Sequence, residues 1–194
     1  FDISYLDNEP KLNFSKLRSA IKVIGKRVKP KTLVLIETTV PPGTCEKIIV
    51  PCLEKELKNR SLSLNDIYIA HSYERVMPGK NYLSSITDYW RVFSGINNNS
   101  ALVCELFLKS IINTKKFPLT RLETLTASET AKVLENSYRA ANIAFIDEWT
   151  KFSEISGIDL FEIIEAIKLR PTHSNMMFPG LGVGGYCLTK DPSL

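Results

Sequence analysis

From Thr126 to Ser156 the chain carries neither glycine nor proline. These two residues most readily end a helix, one through the entropy of its backbone and the other through its missing N–H and its ring. The stretch therefore predicts one long helix that starts near Thr126 and stops at Gly157. Thr126-Ala127-Ser128-Glu129 has the form of a capping box at its start, and Asp159-Leu160-Phe161-Glu162 predicts the cap of a shorter helix behind it. From Arg170 onward the pattern is that of an irregular loop.

Ahead of the long helix the pattern is different. Apolar residues at Leu17, Ala20, Ile21, Val23, Ile24 and Val28 recur at near-helical spacing over Phe14 to Val28, and Pro30 stops the segment. Thr32 to Ile36 reads as a buried strand closed by the turn Val40-Pro41-Pro42-Gly43. Helical pieces over Thr44 to Ile49 and Pro51 to Leu57 follow. Further strands are expected at Asp66 to Ala70, at Arg91 to Ile96 and, more weakly, around Lys116 to Thr120, with a helix over Ala101 to Ile112. Alternation of this kind predicts an α/β fold with a parallel, doubly wound sheet. The expected organisation is thus an α/β domain over residues 1–125 and a helical domain over 126–194.

With 44% apolar and 24% charged residues, the composition is that of an ordinary soluble globule. The net charge of +4 is spread over Lys26, Arg27, Lys29 and Lys31 and then Lys115 and Lys116, with no aromatic-studded basic stripe, which argues against nucleic acid as a partner. Mild positive charge suits an anionic metabolite. No apolar run reaches the ~18 residues of a membrane span, so no membrane partner is expected. Cys45, Cys52, Cys104 and Cys187 form no CxxC pair and have no histidines at zinc spacing. This argues against a metal or a disulfide framework, and a cytoplasmic location is expected.

Chemistry concentrates in Gly184-Gly185-Tyr186-Cys187-Leu188-Thr189-Lys190-Asp191. A thiol acts as a nucleophile only when ionised, and nearby cations or exposed backbone amides favour that form. Lys190 and the glycine-rich turn could supply both, although a lone cysteine can equally be a small packed residue. Gly180-Leu181-Gly182-Val183-Gly184-Gly185 matches the letters of a dinucleotide fingerprint, but it follows no strand and opens no long helix, so it reads as a bend that lets backbone approach a substrate. On the long helix, Ser128, Lys132 and Asn136 are four apart and share a face, separate from Val133, Ala141, Ala144, Phe145 and Trp149. An ammonium and a carboxamide one turn apart can donate to an oxygen that gains negative charge, or can simply face water. Thr38 and Thr39 follow the first strand of the predicted sheet, while Glu74 and Arg75 follow the second. Ligands of open α/β sheets collect at such strand ends, but Thr39 could also serve its own turn and Arg75 could pair with Glu74.

Four segments occur in order: Thr38-Thr39-Val40-Pro41-Pro42-Gly43, Glu74-Arg75-Val76-Met77-Pro78-Gly79, Ala131-Lys132 with Asn136, and Gly184-Gly185-Tyr186-Cys187 with Lys190-Asp191. On these the chain resembles the UDP-glucose/GDP-mannose dehydrogenases. The resemblance implies the C-terminal part of a Rossmann-like NAD-binding domain followed by an all-helical central domain that dimerises through the long helix. It places the nucleotide fingerprint upstream and a UDP-binding domain downstream, so these residues alone are expected to turn over little. The implied reaction oxidises the sixth carbon of a UDP-sugar to a carboxylate with two NAD in turn. Cys187 is then the nucleophile, Lys132 and Asn136 stabilise oxyanions, and Asp191, Glu74 and Thr39 serve proton transfer and water positioning. Thr39, Glu74 and Lys190 are the implied cofactor contacts, and Arg75, Arg170 and Gly184 the implied substrate contacts. Arg170 resembles an arginine lent across a dimer interface.

Glucose-type members carry a second glutamate where this chain has Pro78, so the resemblance is closer to the branch acting on UDP-N-acetylmannosamine or UDP-N-acetylglucosamine. UDP-glucose stays open as a substrate. Two other readings also remain at this stage: a non-catalytic dimerisation module, and a cysteine hydrolase using His71 or His173 as base.

Overall fold

A computed structural model describes residues 2–6, 9–76 and 79–194; Pro78, on which the choice of sugar branch turns, lies outside the described residues. The chain divides into two units, Phe1–Val133 and Leu134–Leu194. In the first, β1 (Asp2–Leu6) and β2 (Glu9–Asn13) pair antiparallel ahead of α1 (Ser15–Arg27). The end of α1 is tied down by Arg60, whose Nη1 donates to the carbonyls of Gly25 at 2.9 Å and Val28 at 2.7 Å. Satisfying late carbonyls with a cation is favourable both as hydrogen bonding and against the helix dipole.

Strand β3 (Leu33–Ile36) leads through the Pro41-Pro42 turn into a π-helical stretch, Cys45–Ile49, which runs directly into α2 (Val50–Lys58). The two helical pieces expected there are one continuous element. Strand β4 (Tyr68–His71), the short α3 (Tyr82–Thr87), β5 (Val92–Gly95), α4 (Asn98–Lys109) and β6 (Thr120–Arg121) complete the sheet region. The strand order is β3-β4-β5-β6, with β3/β4 and β5/β6 parallel but β4/β5 antiparallel. The fully parallel sheet expected from sequence is corrected on this point. Among the described residues, 72–91 carry only the six-residue α3 and bring β5 back from the end at which β4 finishes, whereas α4 supplies a crossover of the length that parallel pairing needs. Gly95 marks the tightest packing: a Cβ there would stand 2.3 Å from the backbone nitrogen of Ala101.

Helix α5 spans Leu125–Ser156 and ends at Gly157, whose φ of +67° is a left-handed value that glycine adopts without strain. The capping-box expectation is corrected as well. Thr124 Oγ1 accepts the amide of Ala127 at 3.0 Å, and Glu129 turns away from the helix start. Helix α6 (Leu160–Lys168) is capped as expected by Asp159, whose carboxylate accepts the amides of Phe161 at 2.8 Å and Glu162 at 3.4 Å. The last helix, α7 (Tyr186–Lys190), forms one short turn inside the region read as loop. The core of the first unit is built around Ile21, Ile49, Leu53, Leu57, Ile69 and Leu125, with a second cluster around Phe93, Ala101, Cys104 and Leu108. The second unit has a small core of Ile146, Leu160 and Ile164, against which Met176 and Met177 pack.

Candidate active site

In the first unit β3 and β4 run parallel in register, Ile36 beside His71, so the segments that leave them emerge side by side. Thr39 is half-buried on one, and Glu74 and Arg75 are half-buried on the other. The first turn of α5 is fastened to these strand ends by buried polar bonds. Ser128 Oγ lies 2.8 Å from His71 Nδ1, and Glu129 accepts the amides of Gly43 at 2.6 Å and Cys45 at 2.7 Å. His71, Ser128 and Glu129 are all fully buried. Burial pulls the His71 imidazole down to about 4, with the Thr38 backbone acting the other way, so the ring is neutral near pH 7. Burial pushes the Glu129 carboxyl up, opposed by its bonds to Cys45 and Gly43. It also pushes the Cys45 thiol up, helped by Glu129, so Cys45 is no nucleophile.

One turn after Ser128, half-buried Lys132 sends its Nζ to the Glu74 carbonyl at a long 3.4 Å and lies 5.3 Å from the centre of the Tyr73 ring. The guanidinium of Arg75 stands 5.5 Å from the same centre and donates to Tyr73 Oη at 3.2 Å. The Glu74 carboxylate accepts the amide of Val76, which folds it back over its own turn. Thus the helix motif with Lys132 and the Glu74-Arg75 motif meet.

In the second unit the amide of Asn136 donates to Asp191 Oδ2 at 2.5 Å, and Lys190 pairs with Asp191 Oδ1 at 2.9 Å. Asp191 and Asn136 are both buried, so the carboxylate is held between an amide and an ammonium. Asn136 has two amide protons, and this bond uses one. Cys187 is a free, exposed thiol in the first turn of α7, behind Gly185 at φ +83°. Positive φ at Gly182 and Gly185 makes the expected bend, whereas Gly184 has open space where a Cβ would stand. Arg170 is exposed at the entry to a 3₁₀ turn, Pro171–His173. Of the two histidines weighed as a hydrolase base, His71 is bonded to Ser128, and His173 Nδ1 lies 2.8 Å from Thr172 Oγ1.

Of the two readings of the polar face of α5, a cleft-facing one and a solvated one, the structure favours the first. Ser128 and Asn136 are buried, while Phe145, Trp149 and Phe152 are about half exposed. Sequence reasoning missed Tyr73 and gave His71 and Glu129 other roles, a hydrolase base and a helix cap. A carboxylate three residues before Lys132 in a helix was the available signal for Glu129. Tyr73 carried none, because an aromatic next to a buried strand is ordinary.

Residues 6–111 match the model of the UDP-glucose/GDP-mannose dehydrogenase family's NAD binding domain, and residues 126–194 match that of its central domain. Among curated proteins the chain is 36% identical over 186 residues to UDP-N-acetyl-D-mannosamine dehydrogenase of Methanocaldococcus jannaschii, covering 96% of this chain and 40% of the relative. It is 34% identical over 191 residues to the same-named protein of Pyrococcus horikoshii, covering 96% and 42%. The chain therefore spans about 40% of the length of these relatives. A solved UDP-D-ManNAc dehydrogenase from Pyrococcus horikoshii superposes with a TM-score of 0.80 at 32% identity, over 98% of this chain and 43% of that one. A UDP-glucose dehydrogenase from Pyrobaculum islandicum shares the fold at TM-score 0.81 and 21% identity. With both family models matched in order along one sequence, the chain belongs to the UDP-glucose/GDP-mannose dehydrogenase family.

Proposed function

We propose that this chain is part of an NAD-dependent dehydrogenase that oxidises the sixth carbon of a UDP-sugar to the acid, with UDP-N-acetylmannosamine or UDP-N-acetylglucosamine as substrate. The relatives named for UDP-N-acetyl-D-mannosamine support the choice of an N-acetylated sugar. One observation carries the reading. The Asn136 to Asp191 hydrogen bond at 2.5 Å joins the long helix to the cysteine loop, two motifs 55 residues apart in the sequence, as a shared site requires. In the same reading residues 1–125 are the C-terminal part of the NAD-binding domain, and residues 126–194 are the central domain.

The residues present fit the reactive end of NAD. Hydroxyl-bearing Thr39 and the carboxylate of Glu74 leave the carboxyl ends of two parallel neighbours, where nucleotides bind in open sheets. Lys190 fits less well, because Asp191 already neutralises it. Bound NAD supplies the hydride acceptor, and two are needed in turn for the four electrons.

The protein's part follows from the thiol. Loss of hydride from the sixth carbon and of the hydroxyl proton gives an aldehyde. Cys187 Sγ adds to its carbon, and the thiol proton moves to the new oxygen. Loss of a second hydride and of the hydroxyl proton from this thiohemiacetal leaves a thioester, and water displaces the sulfur to give the carboxylate, the free thiol and a proton released to solvent. Lys132 and the second amide proton of Asn136 stabilise the oxygen each time it becomes anionic. Asp191 orients Asn136, Glu74 and Thr39 hold the water, and Arg75, Arg170 and the Gly184 backbone bind substrate. A homodimer forms through α5, supported by an apolar groove of about 250 Å³ that Phe145, Trp149, Leu160 and Ile163 help to line.

The test is NADH production by the full-length protein with the three UDP-sugars named above. Cys187→Ala should lower turnover by roughly a thousandfold or more, the scale of losing a covalent nucleophile. Undiminished NADH formation would leave Cys187 without a catalytic part. Absence of NADH with every UDP-sugar would remove the dehydrogenase reading altogether.

A further inference from the structure

We propose that Tyr73 is a positioning residue whose ring fixes the Lys132 ammonium at the carboxyl end of the sheet; this rests on the reading of Lys132 as the oxyanion-stabilising cation. The side chain of a lysine turns about four bonds, and the 3.4 Å contact with the Glu74 carbonyl is too long to fix its end. The ring supplies what that bond lacks. It is 1% exposed, and its face attracts a cation more strongly when water is excluded. Lys132 Nζ is 5.3 Å from its centre and the Arg75 guanidinium 5.5 Å, so one ring serves two cations that would otherwise repel each other.

Tyr73 is itself anchored. Its carbonyl accepts from Arg91 Nη1 at 3.1 Å, and the other arm of Arg91 pairs with Glu37 at 2.5 Å, next to the end of β3. Its hydroxyl accepts from Arg75 at 3.2 Å. The chain thus runs from the ends of two strands through a buried ring to the ammonium on α5. Tyr73 touches no reacting atom in this scheme and acts through Lys132.

The test uses the full-length protein with phenylalanine, then di- and trifluorinated phenylalanines, at position 73. The fluorinated rings keep the shape and burial of phenylalanine while draining its negative face. Tyr73→Phe removes the hydroxyl and with it the bond to Arg75, and should raise KM for the UDP-sugar a few-fold with kcat nearly unchanged. Successive fluorines should then lower kcat stepwise, by about tenfold in all, as expected for weakening one cation–ring contact. In a Lys132→Ala background the series should be flat. A flat series in an otherwise active Lys132 enzyme overturns the proposal, whereas an active Lys132→Ala variant overturns only the role of the lysine. A readout without turnover is the ring-current shift of the Lys132 methylene protons, which should vanish in Tyr73→Leu. Unshifted protons in the unsubstituted protein would also sink the assignment, whether or not any UDP-sugar is oxidised.

Discussion

The two ends of α5 present opposite surfaces. Its first turn buries Ser128 and Glu129 completely, each bonded to a group in the sheet unit, while further along the helix Phe145, Trp149 and Phe152 stand about half exposed with their rings edge to face. A buried polar group is stable only if its partners are placed to meet it, so the first turn has essentially one allowed seating. Apolar contacts are non-directional, and an aromatic stripe needs only a cover. The same helix is thereby fixed in register at the end that carries Lys132 and exposes an aromatic stripe along the rest, the face of the proposed dimer.

The largest expected effect breaks the aromatic end. Trp149→Glu with Phe152→Glu places two charges in the exposed stripe, and the full-length protein should pass wholly from dimer to monomer by light scattering. A mass unchanged by the pair would mean that the stripe covers nothing. At the other end the largest effect is that of pH. The His71 imidazole, held at about 4, resists protonation in the folded chain, whereas in the unfolded chain it protonates near 6.5. Its contribution is therefore complete above about 6.5 and is lost as pH falls toward 4, roughly 3 kcal/mol over that window. Glu129 acts in the opposite sense: its raised carboxyl contributes most at acid pH and loses that contribution as pH rises. Urea unfolding of His71→Asn against the unsubstituted protein separates the two, and the variant's stability should be flatter by that amount. Parallel curves would show that His71 titrates alike in both states.

A smaller effect tests the seating itself. Glu129→Gln keeps the side-chain shape but turns one acceptor oxygen into a donor that faces a backbone amide. About 2 kcal/mol should be lost, the scale of one buried unsatisfied group plus a clash of donors. Because the carboxamide carries no charge, the part of the pH dependence due to Glu129 should vanish with it. Oligomeric mass should not change, since the aromatic stripe is untouched.

How much of this could be read in advance follows the same division. The long helix, its stop at Gly157 and the Asp159 cap were legible because they depend on neighbours within a few residues. The resemblance singled out Cys187, Lys132, Asn136 and Asp191, and of these the structure bonds Asn136 to Asp191. The antiparallel pairing of β5 was not legible, since it depends on how residues 72–91 return and not on any pattern within the strand. Glu129 looked like a local cap because the Thr-x-x-Glu spacing is right, yet its partners lie more than 80 residues away at Gly43 and Cys45. Whether the polar face of α5 lies inward or in water stayed open for a related reason. Periodicity shows which residues share a face, and only tertiary contacts decide which face is inside.

Ile155 gives the finest discrimination between the two ends. It is 89% exposed, two residues before the helix stops at Gly157, and so has almost no apolar contact to lose. Glutamine is at least as good a helix former as isoleucine, so Ile155→Gln should change the stability of the monomeric Trp149→Glu, Phe152→Glu protein by less than about 0.5 kcal/mol. In the dimeric protein the same change should lower stability if the apolar cover extends to the end of α5, and the loss should grow as protein is diluted. A loss above about 1 kcal/mol already in the monomer would mean that Ile155 is covered within one chain, which would erase the contrast between a fixed end and an exposed one.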